Sequence, residues 1–298
     1  MPLRFLALLS LLSVVACQVG CIDSGPAASG SRAPSAPPLA YQDPLAIARP
    51  LAAPAEAVPV VSESAIVINA DTGHILYAKN IDERRAVAST QKLLTALLVI
   101  KEGHLGQAVT VVAQDTEVEP TKIGVKAGER YTRLQLLEAL LIKSGNDIAN
   151  VLARDHSGSY SAFVQEMNTF ATLVGMKNSR FLNAHGLTEP GQFSTARDIA
   201  RLGWIAHRVP LIRKYVQTNE FTFSYADGRR RVFENTNKVL ARMPACTGMK
   251  TGYTRASGRC LVSSAEANGK RVIAVALGGT HRSIWDDSVK LLKFGLTQ

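Results

Sequence analysis

The chain has 298 residues, of which 46% are hydrophobic, and a formal net charge of +10. This composition fits a globular core in one large domain or two small ones. The positive charge does not indicate nucleic-acid binding, because no basic run is interleaved with aromatic residues; the densest run, Arg229-Arg230-Arg231, is typical of a solvated hairpin rim.

The first segment, residues 1–16, predicts a signal peptide. Arg4 gives it a charged start, and the apolar run that follows is too short for an ordinary transmembrane helix. Val14-Val15-Ala16-Cys17 resembles a lipobox, so we expect cleavage before Cys17 and diacylation of its sulfur. An ordinary secretory signal cut nearby is the alternative, and Cys21 is a second, poorer lipidation candidate.

Residues 17–59 are rich in Pro, Ala, Ser and Gly. Such a segment cannot bury a core, so it predicts a disordered tether. Residues 60–298 then form the folded domain. Together with the lipobox, this arrangement predicts an exported protein of the cell envelope or periplasm that is held to a membrane by lipid at Cys17.

The folded part begins with a hairpin, since residues 66–77 alternate around Asp71-Thr72-Gly73. The patterns that follow predict helices and then strands. The predicted helices are 89–102, 133–142, 147–155, 159–174, 195–207 and 284–294, and the predicted strands are 220–225, 231–233, 258–265 and 271–277. Strands at both ends with helices between them indicate an α/β protein of the α+β type: one antiparallel sheet flanked by helices, with an inserted helical lobe.

The sequence Ser89-Thr90-Gln91-Lys92 lies at the start of a predicted buried helix. Residues three apart share a helix face, so Lys92 should stand one turn above Ser89. A lysine desolvated by the apolar residues that follow can have a lowered pKa and act as a base. Taken alone, the motif is better explained by a serine N-cap followed by a solvated lysine, and only the two motifs that follow reverse this preference.

Two further motifs follow in order, Ser144-Gly145-Asn146 and Lys250-Thr251-Gly252. Each motif by itself is weak evidence for function. Lys143-Ser144-Gly145 also resembles the Lys250-Thr251-Gly252 motif and could be mistaken for it. That sequence lies between apolar helical stretches, whereas Lys250 lies in a predicted strand followed by a turn. Together the motifs supply a nucleophilic hydroxyl, two amines, a second hydroxyl and an amide, the groups of a serine acyl-transfer site without histidine.

With these motifs in this order, the chain resembles the serine-type D-alanyl-D-alanine carboxypeptidases, which are the low-molecular-mass penicillin-binding proteins. The resemblance extends from about Ser64 to Leu296. This resemblance implies the serine β-lactamase/DD-peptidase-like fold, with the site between sheet and lobe. The segments that carry it are Asp71-Thr72-Gly73, Ala88-Ser89-Thr90-Gln91-Lys92, Lys143-Ser144-Gly145-Asn146-Asp147, Phe181 to Leu187, Ser194 to Asp198, Asn235-Thr236-Asn237-Lys238 and Gly248 to Thr254.

The resemblance also implies catalytic roles. Ser89 would be the nucleophile and Lys92 the base for acylation. Ser144 and Lys250 would complete the proton relay to the leaving group, and Asn146 would position Lys92 and the substrate amide. Which amine takes which proton stays open.

The substrate-binding residues implied in the same way are Thr251, Gly252, Tyr253 and Arg282. Thr251 would bind the terminal carboxylate of the substrate, and the N–H groups of Ser89 and Tyr253 would form the oxyanion hole. Arg282 is the nearest candidate for an arginine that the family often has near its last helix; a surface arginine is the alternative. The favoured interpretation of His185 is a loop residue that makes hydrogen bonds.

The function expected is a carboxypeptidase that acts on peptidoglycan stem peptides and is acylated by β-lactams. The alternative is a D,D-endopeptidase that cleaves cross-links with the same motifs. A serine β-lactamase is less favoured, because Glu189 lacks the glutamate–asparagine pattern that would hold a deacylating water. A non-catalytic penicillin-binding sensor is also less favoured, because Ser89 and both lysines are intact.

Two cysteines lie in the folded part, Cys246 and Cys260. Export would permit a disulfide, but the two flank the Lys250 motif and are not obviously opposite, and disulfide geometry is demanding. We therefore favour unbridged thiols. No C-x-x-C pair and no H-E-x-x-H sequence occurs, which argues against zinc, and we expect no metal and no cofactor.

Overall fold

The structure is a computed structural model that describes residues 58–298. The predicted signal peptide, the lipidation site Cys17 and the tether up to residue 57 lie outside the described residues. Within residues 58–298, no helix is long and apolar enough to cross a membrane.

The described part of the chain contains nine strands and eight α-helices. The strands are β1 (Ser64–Asn69), β2 (Ile75–Lys79), β3 (Ala108–Thr110), β4 (Arg130–Thr132), β5 (Glu220–Ser224), β6 (Arg230–Glu234), β7 (Cys246–Thr254), β8 (Gly258–Ala267) and β9 (Lys270–Gly279). The helices are α1 (Lys92–Glu102), α2 (Arg133–Ile142), α3 (Asn146–Ser157), α4 (Tyr160–Leu173), α5 (Ala196–His207), α6 (Pro210–Val216), α7 (Val239–Arg242) and α8 (Ser283–Thr297).

The central sheet is antiparallel and has the strand order β2-β1-β9-β8-β7. Strands from the two ends of the folded domain are neighbours in it, since Ile66 of β1 pairs with Val275 of β9. The chain between β2 and β7 forms the helices and two small hairpins, β3–β4 and β5–β6. The predicted fold class is confirmed, and β7, the strand that carries the Lys250 motif, lies at one edge of the sheet.

Helices cover both faces of the sheet. Gly203 of α5 lies so close to one face that an added Cβ atom would be 3.1 Å from Val262 Cγ1. Gly295 of α8 lies still closer to the other face, where an added Cβ atom would be 2.7 Å from Val67 Cγ1. The strands are therefore buried on both faces, and each fully buried aliphatic side chain contributes about 1.5–3 kcal/mol to the stability of the fold.

The start of the described chain is hydrogen-bonded to β2 and α8, at the edge of the sheet opposite β7. The buried carboxylate of Asp287 in α8 accepts hydrogen bonds from the N–H and the hydroxyl of Ser62, at 2.7 and 2.6 Å. Lys79 Nζ on β2 donates to the carbonyls of Val60 and Ser62. The chain therefore enters the domain on the side of the sheet away from β7.

The predicted elements agree with the observed ones to within a few residues, but the helix predicted over residues 89–102 begins differently. Its first turn, Ala88–Gln91, is a 3₁₀ helix, and the α-helix starts at Lys92. Helix α6 is not predicted from the sequence, although Pro210 at its first position is a common helix-start signal. Nor are β3, β4 and α7, which are too short to show a period.

Cys246 and Cys260 are both buried and unbridged. Cys246 pairs with Ala265 and Cys260 with Gly252, so the two cysteines are well separated along the β7–β8 hairpin. The expectation of two free thiols agrees with this geometry. The basic triplet at 229–231 lies in the β5–β6 hairpin and is exposed, as the sequence analysis predicts.

Candidate active site

Ser89 lies in the 3₁₀ turn before α1, and two glycines hold this turn between two other segments. Gly252 of β7 lies against it, so that an added Cβ atom would be 2.8 Å from Ser89 N. On the other side Gly186, which has a φ of +88°, lies so close that an added Cβ atom would overlap the carbonyl of Ala88. Only glycine allows both backbones to approach Ser89 this closely.

Lys92 connects Ser89 to two other parts of the chain. Its Nζ atom lies 2.9 Å from Ser89 Oγ and 2.6 Å from Asn146 Oδ1, and it donates to the carbonyl of His185 at 2.8 Å. Ser89 Oγ also donates to that carbonyl, at 3.1 Å. The predicted one-turn spacing therefore brings the amine and the hydroxyl into hydrogen-bonding distance.

Lys92 is completely buried, and neutral acceptors surround its amine. Burial is the largest cause that lowers the pKa of Lys92 well below its ordinary value; the nearby charge of Lys250 lowers it further, and Asp147 opposes the shift. This shift favours the neutral amine, which is the state that a general base needs.

Ser144 and Lys250 form a second hydrogen-bonded pair. Lys250 Nζ donates to Ser144 Oγ at 2.8 Å and to its neighbour's carbonyl, Thr251 O, at 3.1 Å. Lys250 is 1% exposed, and burial lowers its pKa to about 7. A group with this pKa can both accept and deliver a proton near neutral pH.

Asp147 fixes the junction between α2 and α3, where Ser144 lies in the loop and Asn146 is the first residue of α3. Its buried carboxylate accepts hydrogen bonds from the N–H groups of Ile123 and Gly124, at 3.0 and 2.8 Å, and from the N–H of Ile148. Ser144 has a left-handed φ of +70°, a strained backbone conformation that such contacts must hold in place. The helical lobe thereby positions both side chains.

The edge strand β7 supplies the remaining predicted residues. Lys250 Nζ reaches the carbonyl of Thr251, so the main-chain groups of Thr251 face the cleft between β7 and the helical lobe. Main-chain groups alternate in direction along a strand, so those of Tyr253, two residues on, face the cleft as well. Thr251 Oγ1 donates to Thr236 Oγ1 at 2.6 Å. The backbone N–H of Tyr253 and that of Ser89, beside Gly252, are therefore available to bind a carbonyl oxygen.

Arg282 is the predicted residue that the structure does not bring into the cluster. It is exposed in the turn before α8, and within residues 58–298 its guanidinium makes no hydrogen bond to the other site residues. All other predicted site residues of the folded domain lie at the cleft.

Two segments shape the site although neither has a catalytic or binding role predicted from the sequence. Residues 183–187 run along the 3₁₀ turn that carries Ser89. Asn183 O accepts from Gln91 Nε2 at 2.6 Å, and the carbonyl of His185 accepts from both Ser89 and Lys92. Thr236 bonds to Thr251. Both segments carry part of the family resemblance, but a backbone carbonyl has no side-chain signature, and only the fold shows its use.

The amine of a lysine, and not a histidine ring, faces the hydroxyl of Ser89. The fold and the site together thus define a serine acyl-transfer enzyme of the lysine-dependent class. The chain belongs to the D-alanyl-D-alanine carboxypeptidase family, whose family model matches residues 51–281.

Known relatives agree with this membership. The chain is 34% identical over 249 residues to the D-alanyl-D-alanine carboxypeptidase DacF of Bacillus subtilis (strain 168), an alignment that covers 80% of this chain and 62% of the relative. It is 32% identical to the D-alanyl-D-alanine endopeptidase of Escherichia coli (strain K12), with coverages of 78% and 77%. The solved Streptomyces K15 DD-transpeptidase has a TM-score of 0.76 and 28% identity, with coverages of 80% and 98%.

We expect the amine of Lys250 to titrate with a midpoint of about 7, because burial disfavours its ammonium form. Lysine-selective ¹³C NMR on the full chain measures this midpoint, with the Lys250→Gln variant assigning the signal. Between that midpoint and the ordinary value of 10.5, the unfolded chain binds more protons than the folded one. This group therefore makes the free energy of unfolding rise with pH across that window. A midpoint above about 9 would contradict the buried-amine account.

Proposed function

We propose that the protein is a serine-type D-alanyl-D-alanine carboxypeptidase that removes the terminal D-alanine from peptidoglycan stem peptides. The observation that carries this proposal is the amine of Lys92, which is completely buried among neutral acceptors and lies 2.9 Å from Ser89 Oγ. That contact gives the serine a base without histidine, and membership of the family supplies the substrate class.

In the proposed acylation step, neutral Lys92 accepts the proton of Ser89 Oγ as the oxygen attacks the carbonyl carbon of the penultimate D-alanine. The N–H groups of Ser89 and Tyr253 hold the negative oxygen of the tetrahedral intermediate. The Lys250–Ser144 pair then passes a proton to the leaving nitrogen, and D-alanine departs. The product of this step is an ester on Ser89.

In the proposed second step, water attacks the ester carbonyl and gives its proton to a neutral amine of the site. The ester bond breaks, Ser89 regains a proton, and the shortened peptide leaves as a carboxylate. A β-lactam would enter the same sequence when Ser89 opens its ring. Its acyl-enzyme would persist because the ring nitrogen stays tethered and cannot depart.

The substrate-binding residues proposed are those of the edge strand. An extended peptide can lie along β7 as an added strand, with its main chain bonded to the groups of Thr251 and Tyr253 that face the cleft. Thr251 would bind the terminal carboxylate, Gly252 would give the close approach to Ser89, and Asn146 would bind the substrate amide. Arg282 would need to swing toward β7 to assist.

A D,D-endopeptidase is the second candidate. The relative from Escherichia coli that carries this name shares 32% identity over 78% of the chain, so the comparison favours it as a specific alternative. The two activities use the same nucleophile and differ in the leaving group. The carboxypeptidase releases free D-alanine, whereas the endopeptidase releases the amine of a cross-linked peptide.

We expect the full chain to remove one alanine from pentapeptide monomers, with the products followed by mass spectrometry. The Ser89→Ala variant should lose this activity by about 1,000-fold or more and lose covalent penicillin labelling, because it lacks the nucleophile. The exposed Ser161→Ala variant is the matched control and should keep both.

Cleavage of cross-linked dimers with pentapeptides untouched would replace the carboxypeptidase with the endopeptidase. Rapid turnover of penicillin would favour a β-lactamase. Inactivity toward both muropeptides and penicillin would overturn the proposal.

We further propose the domain boundaries 1–16 for the signal peptide, 17–59 for the tether and 60–298 for the catalytic domain, with a lipid anchor at Cys17 in the cell envelope. The lipobox sequence supports the anchor. The fastening of Ser62 and Val60 on the sheet edge opposite β7 supports the tether, because a chain held there leaves the cleft open.

The Cys17→Ser variant should move from the membrane fraction to the soluble fraction of the cell envelope, since a thioether lipid cannot form on serine. Fractionation with immunoblotting measures this change, and Cys21→Ser is the matched control that should stay with the membrane. Unchanged membrane association of Cys17→Ser would remove the lipid-anchor proposal.

A further inference from the structure

The turn between β7 and β8 presents an arginine stacked on an exposed tyrosine beside the site. Tyr253 and Arg259 are directly opposite each other in the β7–β8 pair, so both side chains lie on the same face of the sheet. The Arg259 Cζ atom lies 4.6 Å from the centre of the Tyr253 ring, and Tyr253 is 57% exposed. A guanidinium stacked on a ring is held in place while its N–H groups remain able to bind an anion.

Apart from its stacking on Tyr253, the guanidinium of Arg259 has no polar partner within residues 58–298. Its Nε atom is buried without a hydrogen-bond partner, and within residues 58–298 the side chain forms no ion pair. A second arginine, Arg255, is exposed in the same turn, and residues 254–258 include no acidic residue. We refer to Tyr253, Arg255 and Arg259 as the arginine turn.

Acidic side chains near the arginine turn do not cancel its charge. Glu63 and Glu83 are both bonded to Arg85. On the opposite wall, the hydroxyl of Thr188 lies 2.8 Å from that of Thr254, which places the exposed Glu189 one residue from this contact. Because Arg85 balances only one of Glu63 and Glu83, two negative charges remain, one from the Arg85 cluster and one on Glu189. Three guanidiniums stand against them, those of Arg84, Arg255 and Arg259, so this end of the cleft is positive by one charge.

The proposed binding mode fixes which part of a substrate reaches the arginine turn. With the terminal carboxylate at Thr251 and the scissile carbonyl at the N–H of Tyr253, the peptide runs antiparallel to β7. Its upstream residues then continue past Tyr253 toward Arg255. Since an extended chain advances about 3.4 Å per residue, the residue before the two D-alanines lies one step beyond Tyr253, beside the arginine turn.

We infer that the arginine turn selects stem peptides in which the residue before the two D-alanines ends in a carboxylate rather than an ammonium group. This inference rests on the proposed function, because it uses the direction of the substrate along β7. A carboxylate there can bond to a stacked guanidinium that has no acidic partner, whereas a lysine side chain meets two like charges.

The test compares three synthetic tripeptides that end in D-Ala-D-Ala and differ in the first side chain: 2-aminopimelate with a carboxylate, norleucine without charge, and lysine with an ammonium group. We expect kcat/KM to fall in that order. The ratio between the carboxylate and ammonium peptides should be on the order of fivefold or more and should shrink with added salt, as for partly exposed charge pairs.

Variants locate the effect within the arginine turn. Arg259→Gln should lower the carboxylate-to-ammonium ratio by roughly threefold, as expected for one partly exposed charge pair, and Arg259→Lys should keep most of the ratio. Lys270→Gln, which removes an exposed charge at the far end of the same sheet, should leave the ratio unchanged. The ratio compares two kcat/KM values of the same variant, so a substitution that lowers activity toward all peptides leaves the ratio unchanged.

Equal hydrolysis of all three peptides by the unaltered chain would overturn this inference and leave the proposed function standing. An equal ratio in Arg259→Gln and the unaltered chain would also overturn it. Inertness of the chain toward all three peptides and toward pentapeptide monomers would instead remove the carboxypeptidase proposal, and the inference with it.

Discussion

The site depends on burying two lysine amines where the sheet meets the helical lobe. An ammonium group taken out of water loses its hydration, and it is tolerated only if it pairs with a carboxylate or gives up its proton. Lys92 and Lys250 bond to amide, hydroxyl and carbonyl oxygens instead. The buried carboxylate of Asp147 lies near, but it accepts bonds from backbone N–H groups. Burial therefore favours the neutral form of both amines, and on the proposed mechanism a neutral amine activates the serine hydroxyl without histidine.

This burial requires distant parts of the chain to meet. Four segments must close around the side chains of Lys92 and Lys250: the turn that carries Ser89, the Ser144 loop, residues 183–187 and the edge strand β7. This close packing explains the strained backbones and the close glycines where the segments meet. Ala88 has a left-handed φ of +47°, and Gly186 and Gly252 leave no room for a side chain against the turn. Strain at such positions persists only because the surrounding contacts over-determine it.

Much of this arrangement follows from local sequence. The Ser89–Lys92 contact follows from helix periodicity, and the sheet follows from alternating segments at both ends. The carbonyl of His185 could not be predicted, because a backbone acceptor leaves no residue signature and its position depends on a fold-wide contact. The bond of Thr236 to Thr251 is equally non-local. Arg282 is a candidate only through its nearness in sequence to the last helix, and sequence does not fix where a flexible side chain in an exposed turn lies.

The most direct test of the neutral-lysine account is the second-order rate at which benzylpenicillin acylates Ser89 in a Lys92→Met variant. Methionine fills a similar volume and removes only the amine, so the fold should survive, as thermal unfolding can verify. Loss of a general base predicts a fall of about 100-fold or more, while Lys101→Met at the exposed end of α1 should acylate normally. Acylation within tenfold of the unaltered chain would contradict the account, because Ser89 would then be activated without Lys92.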